Sequence, residues 1–196
     1  GLCKSYGDFS LKNIDLTLPG GSILGLCGEN GAGKTTTIKC ILNLIRRDAG
    51  EITLLGYDNI REERLAKQDI GLVLDECFFP VALRPLDVGK TLAPAYREWD
   101  QKLFRDYLGK FGLPEKKLIK EFSRGMKMKL SLSAALAHHP KLLILDEATA
   151  GLDPVVRDEI LDEFLAFIED EDHAVLLSSH ITSDLEKVTD YITFID

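Results

Sequence analysis

Residues Gly28–Thr35 read Gly-Glu-Asn-Gly-Ala-Gly-Lys-Thr, an uninterrupted G-x-x-x-x-G-K-[ST] pattern whose residue types suit the capture of a triphosphate. Gly28, Gly31 and Gly33 allow backbone angles that turn successive N–H groups onto phosphate oxygens. Glu29, Asn30, Ala32 and Thr36 complete the candidate nucleotide-binding stretch. Lys34 offers a fixed cation to the β and γ phosphates. Thr35 offers a hydroxyl to Mg²⁺, which keeps most of its waters and takes one or two protein oxygens plus phosphate. A glycine-rich turn with a solvated lysine is the competing reading. The context decides against it: the apolar run Ser22–Cys27 reads as a buried strand entering the loop, and Lys34–Ile45 as a helix leaving it. The start of that helix adds partial positive charge.

A second cluster follows the apolar run Leu142–Leu145, which ends in Asp146 and Glu147. In an α/β sheet ligands bind at the C-terminal strand edge, so both carboxylates emerge beside the phosphates. Asp146 suits Mg²⁺ through a water. Glu147 suits the orientation or deprotonation of an attacking water. Taken alone, the pair also fits a solvated strand end or a local cap.

Several elements must position these groups. Short apolar runs at Ile52–Leu55, Ile70–Leu74, Leu142–Leu145, Ala174–Leu177 and Tyr191–Ile195 have strand length and lie between helical stretches or turns, which predicts an α/β fold with a mostly parallel central sheet. Ser10–Leu18 alternates before Pro19-Gly20-Gly21 and reads as a half-exposed antiparallel strand. From about Phe79 to His139 the signals are helical, over Asp87–Trp99, Asp100–Phe111 and Arg124–Ala137, which suggests a helical subdomain inserted into the core. Asp153-Pro154 reads as a cap and first-turn proline opening a helix over Pro154–Ile168. Ile160, Leu161, Phe164, Leu165 and Ile168 form its core face. His138, His139 and His173 are expected to be solvated.

The chain has 196 residues, with 24 Lys plus Arg against 32 Asp plus Glu and a net charge of −8, so no global basic field attracts nucleic acid. Cys3, Cys27, Cys40 and Cys77 contain no C-x-x-C pair or zinc spacing and read as small apolar residues in a reducing compartment. No apolar run approaches the roughly 18 residues that cross a bilayer. The sequence opens on Gly1 rather than Met and stops just after a strand-like run, so an excerpt of a longer chain is expected, truncated at both ends and forming one domain over 1–196.

In order along the chain, these motifs resemble the ATP-binding subunit of an ABC transporter. Tyr6 stands where the family stacks an aromatic on adenine, although a plain surface aromatic fits as well. The phosphate loop follows, then Gly50-Glu51-Ile52 to Gly56, and the strand Ile70-Gly71-Leu72-Val73 leading to the position usually held by glutamine. Phe122-Ser123-Arg124-Gly125-Met126 stands where the family writes Leu-Ser-Gly-Gly-Gln. Asp146-Glu147, Ala150-Gly151-Leu152-Asp153 and Ser178-Ser179-His180 complete the set.

The resemblance implies the fold of that family's ATPase domain, with ATP and Mg²⁺ as cofactors. It implies a second nucleotide-binding domain as partner, either the same chain or a related subunit, with Ser123 and Gly125 of one copy closing on nucleotide held by the other. His180 would reach the γ-phosphate. A membrane-spanning transporter subunit would be driven by hydrolysis, with export the expected direction, and the chain would lie peripherally on the cytoplasmic face of the cell membrane. Departures are plain. Asp75, followed by Glu76, replaces the metal-coordinating glutamine and would join Thr35 and Asp146 in the metal site. Arg124 replaces a glycine, Met126 a glutamine and Ala148 a proline. Two other readings stay open: a soluble ATPase of the same type acting on ribosomes or DNA, and a slow regulatory nucleotide-binding module.

Overall fold

The computed structural model describes all 196 residues, Gly1–Asp196. The chain opens with an antiparallel hairpin, β1 (Leu2–Tyr6) and β2 (Phe9–Ile14), in which Tyr6 lies opposite Phe9 and Lys4 opposite Leu11. The fully buried β3 (Ser22–Cys27) leads into the glycine loop and α1 (Lys34–Ile41). A two-residue ribbon, β4 (Thr53–Leu54) with β5 (Tyr57–Asp58), precedes α2 (Glu63–Gln68) and β6 (Ile70–Val73). Three helices follow: α3 (Pro85–Leu92), α4 (Gln101–Lys110) and α5 (Arg124–Leu136). The chain then returns through β7 (Leu142–Asp146), α6 (Pro154–Phe167), β8 (Ala174–Ser179), α7 (Thr182–Val188) and β9 (Tyr191–Phe194).

The central sheet has five strands, all parallel, in the order β6-β7-β8-β3-β9. The apolar runs of β3, β7 and β8 are buried throughout because both faces are covered by other elements, whereas edge strand β9 leaves Tyr191, Ile192 and Phe194 exposed. Alternation sorts the side chains cleanly. Ile23, Leu143, Leu145, Val175 and Leu177 point into a core shared with α5, α6 and α7, and Leu24, Leu26, Leu142, Ile144 and Leu176 point into a second core under α1 and the hairpin. A third core fills the helical block around Phe104, Leu108 and Ile119. Helix α5 is the wall between blocks: Met128, Leu132 and Ala135 face the sheet, while Leu130, Ala134 and Ala137 face the helical block. Truncating fully buried Phe104 or Phe164 to Ala removes about 3–5 kcal/mol of stability.

The mostly parallel α/β architecture expected from the sequence is present, with several local corrections. The Ile52–Leu55 run stands outside the central sheet, because Leu55 and Gly56, both at positive φ (52° and 85°), fold Thr53–Leu54 back onto Tyr57–Asp58. The strand expected over Ser10–Leu18 stops at Ile14, where its ladder with β1 runs out at Leu2. Helix α1 ends at Ile41 rather than Ile45. Asn43 at φ 53° closes it, Asn43 N–H donating to the Cys40 carbonyl (3.1 Å) and Leu44 N–H to that of Lys39 (2.8 Å), a Schellman cap. Pro94 reduces the last part of the helix expected over Asp87–Trp99 to one 3₁₀ turn, Ala93–Ala95. Leu165, assigned to the core face of α6, is 40% exposed.

His138 is also corrected: it is 1% exposed, its Nε2 is 3.1 Å from the Ile70 carbonyl, and its ring stacks on Tyr96 with centroids 3.9 Å apart. Burial pushes its pKa below the ordinary value for histidine. His173 is half-buried and stacked on Phe167, and His139 is exposed as expected.

Candidate functional site

The glycine loop joins β3 to α1 at the C-terminal edge of the sheet. Helix α1 has no side-chain cap: its first position follows Gly33, held at φ 115°. A β-carbon at Gly33 would lie 2.4 Å from Leu11 Cδ2 and 2.9 Å from Phe9 Cζ, so only glycine fits between the hairpin and the helix. Gly31, at φ 92°, is needed for its backbone angle alone. The first N–H groups of α1 are therefore free of side-chain acceptors and available to a phosphate.

Lys34 is 5% exposed, and its ammonium donates to the carbonyls of Gly28 (2.7 Å) and Glu29 (3.1 Å). It also lies 3.1 Å from Glu147 Oε1. The other carboxylate oxygen of Glu147 is 2.7 Å from His180 Nδ1. Glu147 takes φ 51°, uncommon for a residue with a β-carbon, and its N–H donates to the Ser178 carbonyl (3.2 Å) and Oγ (3.1 Å). Asp146 is buried, and Ser178 Oγ donates to its Oδ1 at 2.6 Å. Three segments, the β3–α1 loop and the ends of β7 and β8, thus deliver a cation, two carboxylates and an imidazole to one place.

This constellation suits a metal-bound triphosphate. Glu147 Oε1 is buried with the Lys34 ammonium as its one neighbour of opposite charge, the second oxygen of Asp146 is uncommitted, and Thr35 is exposed. No cluster of three or more His, Cys, Asp or Glu side chains could hold a metal by itself. Phosphate oxygens would have to complete the shell, which matches Mg²⁺. An open cavity of about 1040 Å³ lies against Gly28, Glu29, Asn30, Ala32 and His180. A smaller cavity of about 210 Å³ under the N-terminal hairpin is lined almost wholly by apolar side chains and offers a triphosphate nothing.

Other expected site residues stand apart. Tyr6 is 48% exposed at the hairpin tip, opposite the Phe9 that touches the loop, with the Lys4 ammonium 4.9 Å from its ring centroid. Ser123 caps α5, its Oγ accepting from Met126 N–H (3.2 Å). Gly125 faces Val156, where a β-carbon would lie 3.1 Å from Cγ1, and the Arg124 guanidinium lies against Gly151. Asp75 is exposed and lines a cleft with Glu76, Cys77, Arg124 and Lys127, so two departures from the family pattern share one cleft. Sequence reading missed the role of Ser178, whose hydroxyl bridges Asp146 and the Glu147 N–H. The Ser178-Ser179 pair before His180 was its only signal.

The ABC transporter family profile matches residues 11–150. The chain is 38% identical over 200 residues to the linearmycin resistance ATP-binding protein LnrL of Bacillus subtilis, covering 98% of this chain and 64% of LnrL. It therefore spans just under two thirds of that relative. It is 35% identical over 197 residues to the lantibiotic transport ATP-binding protein SrtF of Streptococcus pyogenes, covering 99% of this chain and 84% of SrtF. Among solved structures, an ATP-binding subunit of an ABC transporter superposes with a TM-score of 0.90 at 26% identity, covering 99% of this chain and 83% of that one. The chain belongs to the ABC transporter family, as an ATP-binding domain with that family's ATPase fold.

Proposed function

We propose that this chain binds MgATP, hydrolyses it within a head-to-tail pair of such domains, and so drives a membrane-spanning transporter subunit. The observation that carries this reading is the contact chain Lys34–Glu147–His180, at 3.1 and 2.7 Å. When phosphate arrives, Lys34 exchanges Glu147 for phosphate oxygens, and the carboxylate is freed to hold the attacking water and take its proton. His180, at the end of β8, keeps Glu147 aimed and contacts the γ-phosphate. Thr35 and Asp146 would hold Mg²⁺, which neutralises charge on the β and γ phosphates. Tyr6 stacks on adenine, and Ser123 and Gly125 of the second copy close over the γ-phosphate.

The work of the relatives, linearmycin resistance and lantibiotic transport, supports export of an antibiotic or peptide. No helix here is long and apolar enough to cross a membrane. The proposed place, from the resistance and transport roles named for the relatives, is peripheral on the cytoplasmic face beside a membrane-spanning subunit. A slow regulatory role is the second reading, favoured by Asp75 and Arg124, which put charge where the family has neutral residues.

Glu147→Gln tests the first. Turnover is expected to fall at least about 100-fold while MgATP binding persists, and sedimentation should show an ATP-dependent dimer. A wild type that binds ATP without turnover favours the regulatory reading. A Glu147→Gln chain that stays monomeric with MgATP removes the paired mechanism.

A further inference from the structure

Helices α6 and α7 are joined by two ion pairs of very different kind. Lys187 meets Asp158 at 2.8 Å on the surface, with side chains 56% and 58% exposed. Arg157 meets Asp184 at 3.5 Å, and the Asp184 side chain is 2% exposed. The buried pair is poorly rewarded locally: Asp184 Oδ2 and Arg157 Nε are buried without partners. Exchange of a buried ion pair for apolar residues of similar volume is often neutral or stabilising. Holding the two helices together does not require charge at this place.

Its connections suggest another purpose. Arg157 Nη2 donates to the Leu152 carbonyl at 3.2 Å. Leu152 ends a run of turns that begins at Glu147, through Ala150 N–H to the Glu147 carbonyl (3.1 Å) and Leu152 N–H to the Thr149 carbonyl (3.4 Å). On the other side, Asp184 N–H donates to the Ile181 carbonyl (3.2 Å), and Ile181 N–H to Ser179 Oγ (3.0 Å), on either side of His180. Leu152 and Leu185 belong to the same apolar core. One guanidinium therefore grips the segment carrying Glu147 and, through Asp184, the segment carrying His180.

We propose that Arg157 and Asp184 are positioning residues that hold the Glu147 and His180 segments in register, so that the 2.7 Å contact between these two side chains survives when Glu147 leaves Lys34. This rests on the hydrolysis reading above, because the register matters only if Glu147 and His180 act together on water and γ-phosphate. The clamp acts through a charged fork with two fixed directions, one to a carbonyl and one to a carboxylate, which a point charge or an apolar side chain cannot reproduce.

The test uses Arg157→Met, Asp184→Leu, the double variant and Lys187→Ala. Arg157→Met should lower kcat about 10–100-fold, as expected for a small misplacement of reacting groups, while KM and ADP affinity stay within about twofold of wild type. Hydrogen exchange should speed up over residues 147–153 and 180–185 in both single variants. The double variant should recover the melting temperature but not kcat, and Lys187→Ala should leave kcat and both exchange segments unchanged. Recovery of kcat together with melting temperature in the double variant makes the pair structural only and overturns the proposal, as does unchanged exchange in the single variants. If the wild type binds ATP without turnover, the hydrolysis reading fails separately, and exchange in the two segments alone decides whether the clamp exists.

Discussion

Two helix starts in this molecule use the same physics in opposite ways. Helix α1 begins inside the protein, after Gly33, with no side chain on its N–H groups and with Lys34 almost fully buried beside them. Helix α5 begins at the surface, with Ser123 already accepting from Met126 N–H and Arg124 lying along the Gly151 loop. An uncapped, buried start is incomplete without an anion, whereas a capped, exposed start is stable by itself and can serve a second molecule. In the proposed pair, the difference separates the part of the site that would bind nucleotide within one chain from the part that would work only when copies meet.

The sharpest way to break this contrast is Lys34→Ala. Removing the cation from the α1 end should weaken ATP binding about 100-fold, some 3 kcal/mol, by calorimetry on a single chain. Unchanged affinity would move the nucleotide away from α1. Ser123→Ala should act at the other end, with about 1 kcal/mol lost from stability and turnover reduced about tenfold, while ADP affinity of the isolated chain stays the same. An equal loss of ADP affinity would mean that α5 belongs to the same half-site as α1.

Asp75→Gln asks which helix start the β6 loop serves. A carboxylate holds a hard cation more tightly than an amide, so the variant should need about three- to tenfold more free Mg²⁺ for half-maximal turnover. If the Mg²⁺ curves of Asp75→Gln and Glu76→Gln both overlay wild type, the loop belongs instead with Arg124 and Lys127 at the α5 end. The smallest effect is expected at the far end of α5. His138 is buried and its pKa is lowered by that burial, so its contribution is intact above the ordinary value near 6.5. Below that, the unfolded chain takes up a proton that the folded one resists, and stability declines as pH falls toward the folded pKa. His138→Gln should flatten the melting temperature against pH from about 6.5 downward, and an unchanged slope would assign the acid sensitivity elsewhere.

The residues most legible in the sequence were those whose chemistry is local. Gly28–Thr35 encodes a turn, a charge and a helix start within eight consecutive positions, and Asp146-Glu147 sits at the end of an apolar run long enough to be a strand. The parallel sheet was legible for the same reason. Groups whose meaning depends on distant partners were not. Ser178 matters because it meets Asp146, 32 residues away, and Arg157 because it meets Asp184, 27 residues away, and neither residue type is unusual where it stands. β1 was missed because Leu-Cys-Lys-Ser-Tyr carries little apolar signal and owes its form to pairing with β2. His138 was misread because adjacency to His139 at a helix end says nothing about Tyr96, which arrives from another segment to cover it.

The four thiols are unequally reachable, Cys27 and Cys40 being buried and Cys3 and Cys77 only half so. Cys77 lines the cleft where the β6 loop meets the start of α5, beside Asp75 and Arg124. With Cys3→Ser, a small environment-sensitive fluorophore on Cys77 becomes a reporter of how wet the cleft between the β6 loop and the start of α5 is, without a new cysteine. Its emission, followed in real time after mixing with nucleotide, would show whether that gap widens or shuts before phosphate is released.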